Sequence, residues 1–308
     1  MLEPWIEAEI VSAFDLPDAP TACVTLGLDG FQIPTCAPKG SASWNDGIDE
    51  WGRRWSRGVY VDGVVRSRAD IPTFCPPLAC AARFFQAASV GELRRRYPNH
   101  CLFYGSHIGP FTIAAMSMGY ERFLVACVED QPLVTELLEA QTAWCLAMFR
   151  EAQALGAELL ILGDDAADNQ GPMISPALWR QLVLPFHKRI VREAHVPVIW
   201  HSDGNTEPLL RMAVEVGFAG VHGLDPGAGV DLARVKKNFG AQLALFGNVP
   251  VQVLFGDDPT ALRGEVRRAV GQGTSGPGYA FATCNSVHGG MNPALVREMY
   301  RLAREAER

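Results

Sequence analysis

The chain carries no block of positive charge. Its 308 residues sum to a formal net charge of −7, and Arg94-Arg95-Arg96 is the one compact basic run. With no basic stripe to neutralise phosphates, nucleic acid is not an expected partner. Also lacking is an uninterrupted apolar stretch of the roughly 20 residues that a bilayer span requires, so no membrane association is expected. Met1-Leu2-Glu3-Pro4-Trp5 has an acid and a proline where a secretory leader has basic residues and an apolar run. The eight cysteines (23, 36, 75, 80, 101, 127, 145 and 284) form no CxxC pair. That spacing speaks against a disulfide scaffold and fits reduced thiols in a cytoplasmic protein. There is no low-complexity linker and no repeat at a solenoid period, so residues 1–308 are read as a single domain.

What is present is a rhythm. Residues 1–88 are irregular, with a short helix expected around Ile6 to Phe14 and a hairpin in Gly58-Val59-Tyr60-Val61-Asp62-Gly63-Val64-Val65, turning at Asp62-Gly63. Trp44, Trp51 and Trp55 precede it and read as loop anchors on the core or as a pocket mouth. From residue 89 to 308, apolar runs alternate with helical patterns. The runs are Cys101–Gly105, Leu159–Gly163, Val196–Trp200, Gly220–Asp225, Leu243–Asn248 and Tyr279–Cys284. Helices between them open on clear signals, such as Ser175-Pro176 and Asp258-Pro259, with the cap residue followed by proline in the first turn. Such alternation predicts an α/β fold with a parallel sheet and right-handed crossovers. Six units are legible. An eight-stranded barrel draws its other two strands from the first hundred residues, where Thr21–Leu28 and the hairpin region are the weak candidates.

Polar residues cluster at the carboxyl ends of these runs. They are His107, Asp164 and Asp165, His201 and Asp203, Asp225, Asn248, and Cys284 with Asn285. Strand ends on one side of a barrel form one ring, and His, Asp and Cys are the residue types that bind metal or move protons. His201 and Asp203 are two apart on an extended chain and so share a side. Two plain readings compete: His201 as a satisfied core histidine, and Asp203 as the cap of the next helix. Cys284 also fits an inert buried thiol, and His222 a satisfied core histidine. His187 and His195 read as surface or packing residues, and His288 as a loop residue able to act as a lid.

Several phrases together resemble the uroporphyrinogen decarboxylase superfamily. They are Gly163-Asp164-Asp165, Gly171-Pro172-Met173-Ile174-Ser175-Pro176, Leu184-Pro185, His201-Ser202-Asp203-Gly204-Asn205, Asp231-Leu232, Leu245-Phe246-Gly247-Asn248-Val249 and Pro293-Ala294-Leu295-Val296. The resemblance spans about residues 45 to 305 and is most specific from 159 to 205. It implies a (β/α)8 TIM barrel, here lacking or altering the first N-terminal strand, because members begin further upstream. It implies one of two chemistries: cofactor-free decarboxylation of a tetrapyrrole's acetate arms, or zinc-dependent methyl transfer involving a corrinoid protein or a thiol.

The decarboxylases carry an Arg-Gln-Ala-Gly-Arg loop that this sequence lacks, and Glu50-Trp51-Gly52-Arg53-Arg54 is closer to the methyltransferase branch. That branch has a His-x-Cys motif and a distant Cys as zinc ligands. The sequence matches it at His201 and Cys284, with Asp203 in place of the middle cysteine. The resemblance therefore implies zinc held by His201, Asp203 and Cys284. Asp165, Asp164 and Asn248 are the expected catalytic groups, with Asp165 also a fourth ligand or a partner to His201. His107, Asp225, Asn285 and His288 are the expected substrate contacts. A small methoxy or thiol compound and a corrinoid (cobalamin) protein are the expected partners, and a homodimer is compatible with the composition. The alternatives are a decarboxylase of uroporphyrinogen or a related polyacid, and a non-catalytic barrel that binds a corrinoid or tetrapyrrole.

Overall fold

The structure, a computed structural model, describes residues 1–36, 46–106 and 109–306. Strand β1 (Gly30–Gln32) is followed by three short strands, β2 (Gly47–Ile48), β3 (Arg53–Ser56) and β4 (Val59–Gly63). The regular units then supply β5 (Cys101–Ser106), β6 (Leu159–Gly163), β7 (Val198–Ser202), β8 (Gly220–Gly223), β9 (Ala244–Val249) and β10 (Tyr279–Thr283). β1 and β5 to β10 form one seven-stranded parallel sheet in the order β1-β5-β6-β7-β8-β9-β10. All six strands legible in the sequence take their expected places. Strand and helix alternate because each apolar run must be covered on its outer face. Gln131–Ala154, for example, buries Leu133, Leu137, Leu138, Trp144, Cys145 and Met148.

The sheet curls, and its two edges meet across the N-terminal segment. Leu2 N donates to Phe281 O of β10 at 3.2 Å, while Met1 O accepts from Asp29 N, just before β1, at 2.9 Å. Further along, Trp5 O and Glu7 N both bond to the backbone of Val287. Residues 1–7 thus occupy the eighth place of the ring, in an irregular form that shows no strand alternation. Leu2 and Trp5 turn inward and pack with Phe103, Ile161, Ile199 and Phe246 as the core of the lumen. The expectation of an altered first strand is met in this form.

Two local expectations fail for identifiable reasons. Thr21–Leu28 supplies no strand: Ala19–Leu26 is a helix, capped by Asp18, whose carboxylate accepts from Thr21 N at 2.7 Å. The cap and Pro20 in the first turn outweigh the β-branched content. The hairpin exists, but β3 and β4 turn at Arg57-Gly58, with φ of 52° and 75°. Gly63 lies in β4 against the backbone of Met116 and Ser117, where a Cβ would collide. This hairpin stands outside the barrel, in a small antiparallel sheet with β2. Trp51 and Trp55 flank the Arg53 guanidinium, which pairs with buried Asp49 at 2.7 Å, so these two anchor the loop. Trp44 lies outside the described residues.

Among the described residues no single helix is long and apolar enough to cross a membrane. All eight cysteines are free.

Candidate metal centre

Register decides which side chains meet. Gly163 on β6, His201 on β7 and His222 on β8 are lateral partners, so both imidazoles point the same way, into the carboxyl mouth of the barrel. Both are buried. The two Nδ1 atoms lie 2.7 Å apart, and His222 Nε2 is 3.1 Å from Thr283 O. His201 Nε2 faces outward and reaches to 3.6 Å from Asp203 Oδ1. Trp5 from the N-terminal segment stands edge-on to His201, with ring centroids 4.8 Å apart.

Asp203 follows β7 and turns back over the mouth. Its N–H donates to Asp165 Oδ1 at 3.0 Å, and its two carboxylate oxygens accept from Asn285 Nδ2 at 2.9 Å each. The reading of Asp203 as a helix cap does not hold: Thr206 is the N-cap of the following turn, and Asn205 Oδ1 accepts from Glu207 N. Gly204 makes this turn possible, since its φ is +76° and a Cβ there would lie 2.5 Å from Asp168 O. Asp165, after β6, is fixed by its N–H donating to Thr112 Oγ1 at 2.7 Å.

Asp165, His201 and Asp203 each offer a ligand atom within 4.8 Å of the others. Two ligands on one zinc ion are at most about 4 Å apart, so small side-chain shifts would bring all three onto one cation. The carboxylates are crowded. Burial, then the charge of Asp225, pushes Asp203 up to about 6 despite its hydrogen bonds from Asn285. Some 46% of that side chain is open to the mouth, so a cation can reach its oxygens. Asp165 is raised by burial and by Asp203, with His201 opposing. Burial lowers His201, keeping its imidazole neutral. Two carboxylates held near one neutral imidazole nitrogen form a donor set that fits a divalent cation.

The other expected site residues divide. Cys284 Sγ lies 3.7 Å from Asp225 Oδ1, and burial and that carboxylate push the thiol well above its ordinary value. Asp203 is among the charges acting on it, so Cys284 and Asp225 border the cluster without belonging to its closest trio. Asp225 also caps the turn Pro226–Ala228 through Gly227 N at 2.7 Å.

Asp164 points away from the cluster. It is fully buried, accepts from Phe111 N and Thr112 N at the start of helix Pro110–Met118, and meets His187 Nε2 at 2.8 Å. Asn248 is likewise committed, donating to Leu224 O and accepting from Arg268 Nη1. His288 hydrogen-bonds Gly289 O and packs against Phe255. His107 lies outside the described residues.

Four residues at or behind the site were not singled out for it from the sequence: His222, Trp5, Glu3 and His187. His187, read as a surface or packing residue, is buried against Asp164. For His222 a signal existed, because His201 and His222 hold matching places near the ends of consecutive strands.

Fold and mouth together describe a β/α barrel with a His/Asp cluster at the carboxyl ends of its strands. The chain belongs to the uroporphyrinogen decarboxylase (URO-D) family, which matches residues 56–306. The uroporphyrinogen decarboxylase of Xylella fastidiosa is 26% identical over 270 residues, covering 80% of this chain and 73% of that protein. The methylated-thiol–coenzyme M methyltransferase of Methanosarcina mazei is 29% identical over 130 residues, covering 42% of this chain and 35% of its own. Among solved structures, a methyltransferase from Methanosarcina mazei superposes with a TM-score of 0.79 at 16% identity, covering 100% of this chain and 94% of its own, which establishes the barrel.

Proposed function

We propose that this protein is a metal-dependent methyltransferase of the URO-D family. The observation that carries the reading is the convergence of Asp165, His201 and Asp203 at the barrel mouth. These three would hold a divalent ion, zinc being the expected one, with Cys284 and Asp225 at its border. A bound ion would supply Lewis acidity toward a substrate atom. With two carboxylates and one imidazole the donor set is hard, which favours a methoxy oxygen over a thiol as the group brought to it. Asn285 would orient Asp203, and Asp165 would bind as an ionised carboxylate. Trp5 and Phe246 pack the lumen below the cluster with apolar side chains. A corrinoid protein docking over that mouth is the proposed methyl partner.

The test is metal analysis of protein purified without chelator, with zinc titration and methyl transfer from a methoxy compound to free cobalamin. Stoichiometric zinc that is lost in His201→Ala is the expected result. Absence of metal, with His201→Ala unchanged in titration and turnover, overturns the reading.

One observation favours a second reading, decarboxylation of uroporphyrinogen or a related polyacid: the decarboxylase relative aligns over far more of the chain than the methyltransferase does. In that reading Asp165 would stabilise a cationic pyrrole without metal. Asp164 is tied into a helix cap, and the Arg-Gln-Ala-Gly-Arg loop is lacking. Turnover of uroporphyrinogen by metal-stripped protein decides between the two.

A further inference from the structure

We infer that His222 is a positioning residue that locks His201 in its Nδ1–H tautomer, and that Glu3 holds His222 in place through Thr283. The consequence for cation binding rests on the metal reading above, whereas the tautomer itself does not.

The protons can be counted along the chain. His222 Nε2 lies 3.1 Å from the carbonyl oxygen of Thr283, which only accepts, so Nε2 carries a hydrogen. A neutral imidazole has one such hydrogen, which leaves His222 Nδ1 bare. The 2.7 Å contact between the two Nδ1 atoms needs one proton, and it therefore belongs to His201. His201 Nε2 is left as the nitrogen that faces Asp203 and Asp165 with a free lone pair. Should that nitrogen take up a proton, His201 Nδ1 remains a donor, so the lock holds in both states. Deep burial of both rings disfavours the other route, a charged His222.

The far end of the relay is anchored by the N-terminal segment. Thr283 N donates to Glu3 Oε2 at 3.0 Å and Thr283 Oγ1 to Glu3 Oε1 at 2.8 Å. Tyr300 donates to Glu3 Oε2 at 2.6 Å. Trp5 stands edge-on to both imidazoles, at 4.8 and 5.9 Å, and blocks ring rotation. The same segment that closes the barrel therefore sets which nitrogen of His201 is offered to the mouth. A histidine that binds metal is oriented by the partner of its other nitrogen, and here that partner is a second imidazole backed by a carbonyl.

The test begins with metal-free, full-length protein carrying ¹⁵N-histidine. Long-range ¹⁵N–¹H correlation is expected to show a protonated Nδ1 and a bare Nε2 for His201, and the reverse for His222. A protonated Nε2 with a bare Nδ1 on His201 overturns the inference without need of a variant. His222→Asn places an amide oxygen where Nδ1 stood and is expected to keep the His201 tautomer. His222→Leu is expected to mix the tautomers and weaken Zn²⁺ binding, by calorimetry, about 10- to 100-fold. Unchanged tautomer and affinity in folded His222→Leu also overturn it. If wild type shows the expected tautomers but binds no Zn²⁺, the lock stands and the metal reading falls.

Discussion

Asn285 donates its side-chain amide to both carboxylate oxygens of Asp203, at 2.9 Å each. The contact joins the loop after β10 to the loop after β7 across the mouth and leaves Asp203 one orientation, toward His201. Asn285→Ala removes that orientation without opening the core. The expected result is a fall of about tenfold or more in Zn²⁺ affinity, read by calorimetry, with little change in thermal stability. Zinc affinity equal to wild type would mean that Asn285 does not position Asp203.

Asp164 and Asp165 are adjacent in sequence and opposite in role. Asp164 is buried, carries the first turn of Pro110–Met118 on its oxygens, and pairs with His187. Asp164→Ala is expected to destabilise the fold by about 3–5 kcal/mol in denaturant titration, by stranding two backbone N–H groups and His187. Asp165→Ala, at the mouth, is expected to leave stability near wild type and to abolish tight zinc binding. Reversal of the two phenotypes would exchange their roles.

Much of this was legible in the chain, for reasons that differ by element. The six regular β/α units announce themselves through apolar runs and Ser-Pro or Asp-Pro caps, both local signals. His201 was legible as the polar end of an apolar run, and Asp203 as a carboxylate just past it, although the turn at Gly204 rather than strand alternation brings it over the mouth. The partnership of His201 with His222 was legible only in part: both sit near the ends of consecutive strands, but the register that brings residues 21 positions apart together is not written locally. The closing segment was hidden for another reason. Residues 1–7 bond to both edges of the sheet without strand alternation, so no periodicity marks them. Asp164 was misplaced because two neighbouring carboxylates carry no mark of which one faces inward.

Trp5 joins barrel closure to the site. It is buried in the lumen with Leu2, Phe103, Ile161, Ile199 and Phe246 and borders both histidines. Trp5→Ala leaves a large cavity beneath His201, and a loss of about 3–5 kcal/mol is expected by denaturant titration. Trp5→Phe retains most of the packing and is expected to lose less than half as much. Equal losses would show that the indole edge, not its volume, supports the pair.

Glu3 makes stability depend on pH. It is fully buried, and burial pushes its carboxyl up to about 7 even though Tyr300 and Thr283 donate to it. In the unfolded chain the group titrates near its ordinary value of 4.5. Between those two values the folded state holds a proton that the unfolded state has released, so stability falls as pH rises through this window. The loss is on the order of 3 kcal/mol, complete above about pH 7 and absent below the unfolded value. Glu3→Gln removes the titrating group and is expected to flatten the dependence of the denaturation midpoint between about pH 4.5 and 7. Wild type and Glu3→Gln with the same slope through that window would show that Glu3 does not hold its proton in the folded protein.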